Sequence, residues 1–204
     1  MAENMKDKII KASLELFNEN GSHKITTNHI IDKLDISPGT FYYHFRNKEE
    51  IIREIFSLIT YDFEKIIDAG NSASGIGENI DILKNMFSIY NKYLFFYSEI
   101  SSLLDRDEIL KKMYLENYSM KYTMLSGLLS GLERDGILKK GFSASPEVPS
   151  IINSLWILSD YWVPFLKTTG RLDDGAVVSG YRNYLLLLMP YMRKNAAAAA
   201  EKYL

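Results

Sequence analysis

Cysteine is absent from all 204 residues, which excludes disulfides, thiolate zinc sites and cysteine nucleophiles. Histidine is nearly as scarce: His23, His29 and His44 are the whole supply. Beyond residue 44 no imidazole remains for Ser-His or metal-His chemistry, leaving carboxylate or tyrosine catalysis as the open routes. No enzyme, metal site or cofactor is therefore expected. No uncharged apolar run approaches the ~18 residues of a membrane span. Lys6, Asp7, Lys8, Lys11 and Glu15 interrupt the first turns of the chain before a signal-peptide core can form. A cytoplasmic protein without membrane association is the expectation. Charge of one sign is lacking too, since 24 Lys+Arg against 26 Asp+Glu leave −2. With no basic block to release counterions, bulk polyanion binding is disfavoured, and any nucleic-acid contact must be local.

What is present is a globular composition, 47% hydrophobic and 25% charged, long enough for one or two domains. Apolar spacing is helical nearly everywhere, so the fold class is all-α. Ile10, Leu14 and Phe17 stitch a first helix that stops at Asn20-Gly21. Thr26 or Thr27 caps a short second helix through Ile30, Ile31 and Leu34, and Ser37-Pro38 opens a third with Phe41 and Phe45. Asn47, with Glu50 three positions on, starts a long fourth helix whose stripe runs Ile51, Ile55, Phe56, Ile59, Phe63, Ile66 to an end near Gly70. Residues 70–77, rich in glycine and serine, read as a flexible connection. Beyond it the spacing predicts helices at about 78–97, 105–135, 146–169 and 173–194. Asp105 with Glu108 reads as a capping pair, Ser145-Pro146 and Asp173 as starts, and Pro164 and Pro190 as kinks or early ends. Ala196 to Ala200 carry no functional signal.

A helix, tight turn and helix over residues 27–45 have the layout of a major-groove reader. The specific signal is Phe17, Gly21, Thr26-Thr27, Ile30, then Ile36-Ser37-Pro38-Gly39-Thr40-Phe41-Tyr42-Tyr43-His44-Phe45, Asn47-Lys48 and Ile51. This run resembles the N-terminal domain of the tetracycline-repressor (TetR) family of transcriptional regulators over about residues 6–56. The resemblance implies a three-helix DNA-binding head, residues 1–48, joined by the long fourth helix to a helical body, residues 49–204, that binds an inducer and dimerises. The implied function is sequence-specific regulation, by a repressor released from a palindromic operator when a small, mostly apolar ligand binds the body. The competing reading is a helical ligand-binding or scaffolding protein without DNA function.

On the resemblance, Thr27 and Asn28 open the helix facing DNA, and Ser37, Pro38, Gly39 and Thr40 form the leading edge of the recognition helix. Thr27 can offer hydroxyl and backbone N–H to a phosphate, or serve only as a cap. Small side chains at 37–40 let backbone approach base edges. Tyr42, Tyr43 and His44 offer further donors, one of them expected to pack inward, and Lys48 adds charge on the next helix. Two positions depart from the family pattern: Asp35 stands at the turn's usual glycine, and Ile31 at a usual small residue. Residues 1–48 hold seven basic against six acidic residues, a balance of +1, so His44, Arg46 and Lys48 are the evident patch. That small patch implies a shallow salt dependence of DNA binding.

The second half is dense in aromatic residues and methionine, which at helical spacing most often form core. The resemblance implies a pocket there, with Phe87, Tyr90, Met113, Tyr118, Tyr122, Trp156 and Trp162 as ligand-binding candidates. Tyr and Met would suit a bulky hydrophobic or amphipathic effector. Phe95 to Glu99, Leu103 to Asp105 and Trp156 to Trp162 look like a subgroup of these regulators with its own C-terminal domain. A homodimer on a double-stranded DNA operator is expected, since one short helix touches too few bases. The last two helices are the expected interface, with Gly180 beside Tyr181, Tyr184, Leu185 and Leu188.

Overall fold

The computed structural model describes residues 4–70 and 75–204. Among them no strand forms, and the all-α expectation holds. Helix α1, Met5–Asn20, is capped by the Asn4 side chain on Asp7 N and buries Ile9, Ile10 and Phe17. It ends because Gly21 adopts φ 83°, which lets its N–H close on Phe17 O at 2.8 Å.

Helix α2, Thr27–Leu34, is capped by Thr26, whose own N–H donates to His29 Nδ1, a capping box with histidine in the acid's place. Asp35 takes the left-handed conformation, φ 50° and ψ 48°, and the Ile36 N–H then reaches Ile31 O at 3.3 Å. Aspartate thus serves where glycine is usual, because its short polar side chain tolerates that region. Ile31 is buried at the crossing. Helix α3, Pro38–His44, starts from Ser37, whose hydroxyl accepts from Thr40 N at 3.0 Å. Phe41 and Phe45 seal the head against Ile51 and Ile55 of α4, Lys48–Gly70. The Asn47 side chain accepts from Glu50 N as the spacing predicts.

Four boundaries differ from the sequence reading. The connection expected at 70–77 falls partly outside the described residues, and α5 is already helical from Gly75 to Lys92. The helix expected at 78–97 breaks at Tyr93, with α6 running Leu94–Arg106. The cap of α7, Glu108–Arg134, is Asp107, which accepts from Ile109 and Leu110 N at 3.0 Å; Asp105 belongs to α6. The helix expected at 173–194 divides into α9, Asp174–Val178, and α10, Tyr181–Leu188, with a 3-10 turn carrying Pro190 beyond. Trp162 explains the division, since its indole N–H donates to Ala176 O and Val177 O, carbonyls a continuous helix would engage itself.

Helix α8, Val148–Thr168, starts two residues beyond Pro146 and carries Pro164 without ending. It packs on α6 and α10, and α11, Lys194–Ala200, docks on α5. One continuous core runs from Ile9 in the head to Ala200. Gly180 is where it is tightest: an added Cβ would enter the Phe87 ring and lie 2.7 Å from Trp162 Nε1. By contrast, a Cβ at Gly127 in α7 meets nothing within 4 Å.

Gly180→Ala is therefore expected to destabilise by about 1–3 kcal/mol through overpacking. Gly127→Ala is expected to be neutral or to gain up to about 1 kcal/mol of helix propensity. Thermal melts of the two variants check this, and equal behaviour would contradict the packing at Gly180.

Candidate DNA-binding head and its junction with the body

The second and third helices present their outer face to solvent. Tyr43 is 85% exposed and Tyr42 50%, and Asn28, Ser37, Pro38 and Gly39 are exposed around them. Thr27 Oγ1 lies 3.3 Å from Tyr42 Oη, so the two hydroxyls form one polar spot joining α2 to α3. Ser37 and Thr40 hydroxyls pair at 2.9 Å, fixing the start of α3. Of the three adjacent aromatic residues, His44 is the one drawn inward, half-buried and edge-on to Tyr43 at 5.0 Å. Thr27 is not the cap of α2, which leaves its hydroxyl available to other partners.

Lys48 departs from its expected role. Its ammonium donates to Ser22 O at 2.5 Å and Ile25 O at 3.0 Å, so it braces the turn between α1 and α2. Two of its three protons are taken by carbonyls. Arg46 is exposed, and so is Lys24, which the sequence reading passed over although it leads directly into α2. Lys6 and Lys33 are paired with Glu54 and Glu15.

Behind this face the head is fastened to α6. The Asn18 side chain donates to Lys92 O at 2.9 Å and accepts from Phe95 N at 3.0 Å, filling the hydrogen bonds left open where α5 and α6 break. Glu99 accepts from Ser22 N at 3.0 Å and from Ser22 Oγ at 2.5 Å, with His23 Nδ1 at 3.3 Å. A side chain at position 21 would collide with Glu99, a second reason for Gly21. The Phe17 and Phe95 rings meet at 5.0 Å, and Phe56 of α4 stacks on Phe96 at 5.3 Å. Arg53 on α4 pairs with Asp107 at 2.6 Å, so the cap of α7 is also an ion-pair partner of the long helix.

The body encloses a cleft of about 300 Å³ between α4, α5 and α7, lined by Ile67, Ile82, Met86, Met124 and Leu128, with Asn79, Arg134 and Asp135 also on its wall. Through shared walls at Ile67, Met86, Met124 and Leu125 it adjoins a narrower pocket lined by Phe63, Tyr90, Lys121, Trp156, Asp160 and Tyr184. Of the expected ligand residues, Tyr90 and Trp156 line this pocket. Phe87 packs instead beneath Gly180 and against Tyr184, and Trp162 is committed to the carbonyls of α9. Met113, Tyr118 and Tyr122 do not line these cavities; Tyr118 meets Trp156 edge-on and donates to Asn153 Oδ1. Lys121 and Asp160 were missed, although a charge inside an otherwise apolar helical stripe is a legible signal.

The expected dimer face is also corrected. Tyr181, Tyr184, Leu185 and Leu188 are buried within their own subunit, Tyr184 donating to Leu155 O at 2.8 Å, and Gly180 is covered by Phe87 and Trp162. The apolar side chains left outside on the same two helices are Ile157, Tyr161 and Phe165, four apart on α8, and Leu186 on α10.

A helix-turn-helix head fastened to a helical body with a cleft defines the class of a DNA-binding regulator. Comparison with known proteins places it. Residues 63–200 match the TetR model, described as bacterial transcriptional repressor, and residues 9–55 match that of bacterial regulatory proteins, tetR family. The chain belongs to the TetR family. Among curated relatives it is 42% identical over 55 residues to the HTH-type transcriptional regulator QacR of Staphylococcus aureus, covering 27% of this chain and 29% of that one. It is 31% identical over 102 residues to IcaR of Staphylococcus epidermidis, a negative transcriptional regulator of a biofilm operon, covering 48% and 54%. The matched stretches thus span less than two thirds of those relatives. A solved TetR-family regulator from Marinobacter aquaeolei is 32% identical across 98% of this chain and 99% of its own, with a TM-score of 0.85.

Lys48→Met is expected to lower thermal stability by about 1.5–3 kcal/mol, the range for bonds to a charged donor. It should leave the salt slope of DNA binding unchanged, whereas Lys24→Ala and Arg46→Ala each reduce the slope by about 1. A Lys48→Met variant with wild-type melting and a reduced slope would return Lys48 to the DNA face.

Proposed function

We propose that this protein is a sequence-specific DNA-binding transcriptional regulator, a homodimeric repressor released from a palindromic operator when a small, mostly apolar ligand enters the body. The observation that carries the reading is the outward face of α3, where Tyr42 and Tyr43 stand exposed beside the Ser37-Pro38-Gly39 edge. Exposed aromatic hydroxyls on a rigid short helix suit phosphate and base-edge contacts. Thr27, Asn28 and Thr40 complete the contact surface, with Lys24 and Arg46 supplying charge. Membership of a family of transcriptional repressors supports the same direction.

Pairing is assigned to Ile157, Tyr161, Phe165 and Leu186, an exposed apolar stripe across α8 and α10. A two-fold pair joined there would hold two heads for half-sites about 34 Å apart or a near multiple. Release follows from the cleft's position. Its walls are α4, α5 and α7, and α4 and α6 are also the helices that hold the head. A ligand that favours a displaced arrangement of these helices changes the head spacing, provided it binds that state better than the DNA-bound one.

Selection of duplexes from a random pool tests this reading. Enrichment of a palindrome with half-sites about one turn apart, lost in Tyr43→Ala, is expected. Leu186→Glu should give a monomer by light scattering and weaken binding to the palindrome. No enrichment by the wild type, alone or with ligand, would favour a ligand-binding protein without DNA function.

A further inference from the structure

The inner pocket contains a cation that the fold holds through ring faces. Lys121 of α7 points its ammonium at the faces of Phe63, 4.2 Å from the ring centroid, and Trp156, at 5.2 Å. Among the described residues no oxygen hydrogen-bonds or ion-pairs with it. A cation held among aromatic and aliphatic walls without an acceptor is costly unless something supplies one. Burial lowers the Lys121 pKa, and Asp160 opposes that shift by its field rather than by contact.

Asp160 itself is 3% exposed and already served. Tyr114 donates its hydroxyl to Oδ2, and Trp156 Nε1 donates to the Tyr114 oxygen at 3.0 Å, so the carboxyl is held by a short relay of donors. Burial raises its pKa, which weakens it further as a seat for a cation. The asymmetry decides the sign of the ligand: the carboxyl already has a hydrogen-bond donor, whereas the ammonium has two ring faces but, among the described residues, no acceptor oxygen. The other cation on the cleft wall, Arg134, is exposed and lies 3.8 Å from Asp135.

We propose that the pocket selects an amphipathic acid, an apolar body ending in a carboxylate or phenolate whose oxygen takes the acceptor place on Lys121. The inner space of about 20 Å³ suits one small polar group, and the adjoining cleft of about 300 Å³ takes the apolar remainder along Ile67, Met86 and Met124. This assignment rests on the cleft being the effector site, and it adds the charge of the effector to that reading.

Calorimetric titration with three ten-carbon probes, decanoate, decanol and decyltrimethylammonium, tests it. Decanoate is expected to bind about tenfold or more tightly than decanol, the gain of a charge-assisted bond in a partly desolvated site. Lys121→Met should erase that preference, and Lys121→Arg should restore much of it, with melts confirming that both variants fold. Equal binding of decanoate and decanol, tightest binding of the ammonium probe, or a preference surviving in Lys121→Met would overturn the proposal while leaving the effector cleft intact. Failure of all three probes to bind would overturn both.

Discussion

The structure depends on how one interrupted helix is repaired. At Tyr93 the backbone leaves helical geometry, and the Lys92 carbonyl and Phe95 N–H lose their places in a ladder. The Lys92 carbonyl is exposed and could turn to water, but the Phe95 N–H is part-buried, and leaving such a group unsatisfied costs about 1–3 kcal/mol. The Asn18 amide satisfies both, offering a donor to one and an acceptor to the other, as no carboxylate or aliphatic side chain could. Because Asn18 is on α1, the body's own helix break is completed by the head. The Glu99 bonds to Ser22 and the contact of Phe17 with Phe95 extend the same seam.

Under the proposed function, that seam is what would let the head sense a ligand in the body's cleft. Helix α6 cannot slide without disturbing Asn18 and Glu99, and α4 cannot tilt without straining the Arg53–Asp107 pair at the start of α7. The cleft opens between α4, α5 and α7, so a ligand and an operator would bias the same few helices from opposite ends. Linkage then makes the effect reciprocal: whatever weakens DNA binding is itself bound less well when DNA is present. Lys48 ties α4 to the turn that also carries Ser22.

The head was legible because its signals are local. Caps at Ser37 and Asn47, the apolar spacing of Phe17, Ile30, Phe41 and Phe45, and the tight turn all act within a few residues. Even Asp35 in a left-handed turn follows from its own chemistry. The body was legible only as helices. Its breaks at Tyr93 and before Gly180 are stabilised by Asn18 and Trp162, residues distant in sequence, so apolar periodicity runs straight through them. The residues expected on a dimer face turn out to be buried in their own subunit for a related reason. Tyr184, Leu185 and Leu188 make a good apolar stripe, but periodicity cannot say whether a stripe meets its own subunit or another. The same blindness put Phe87 in the pocket and left out Lys121, whose significance lies in what surrounds it.

Scanning calorimetry of the full chain with the junction intact and cut tests the central claim most directly. If Asn18 and Glu99 make head and body one unit, the wild type unfolds in a single transition, and Asn18→Ala combined with Glu99→Gln splits it into two. Two transitions in the wild type, or one transition at an unchanged temperature in the double variant, would contradict the account.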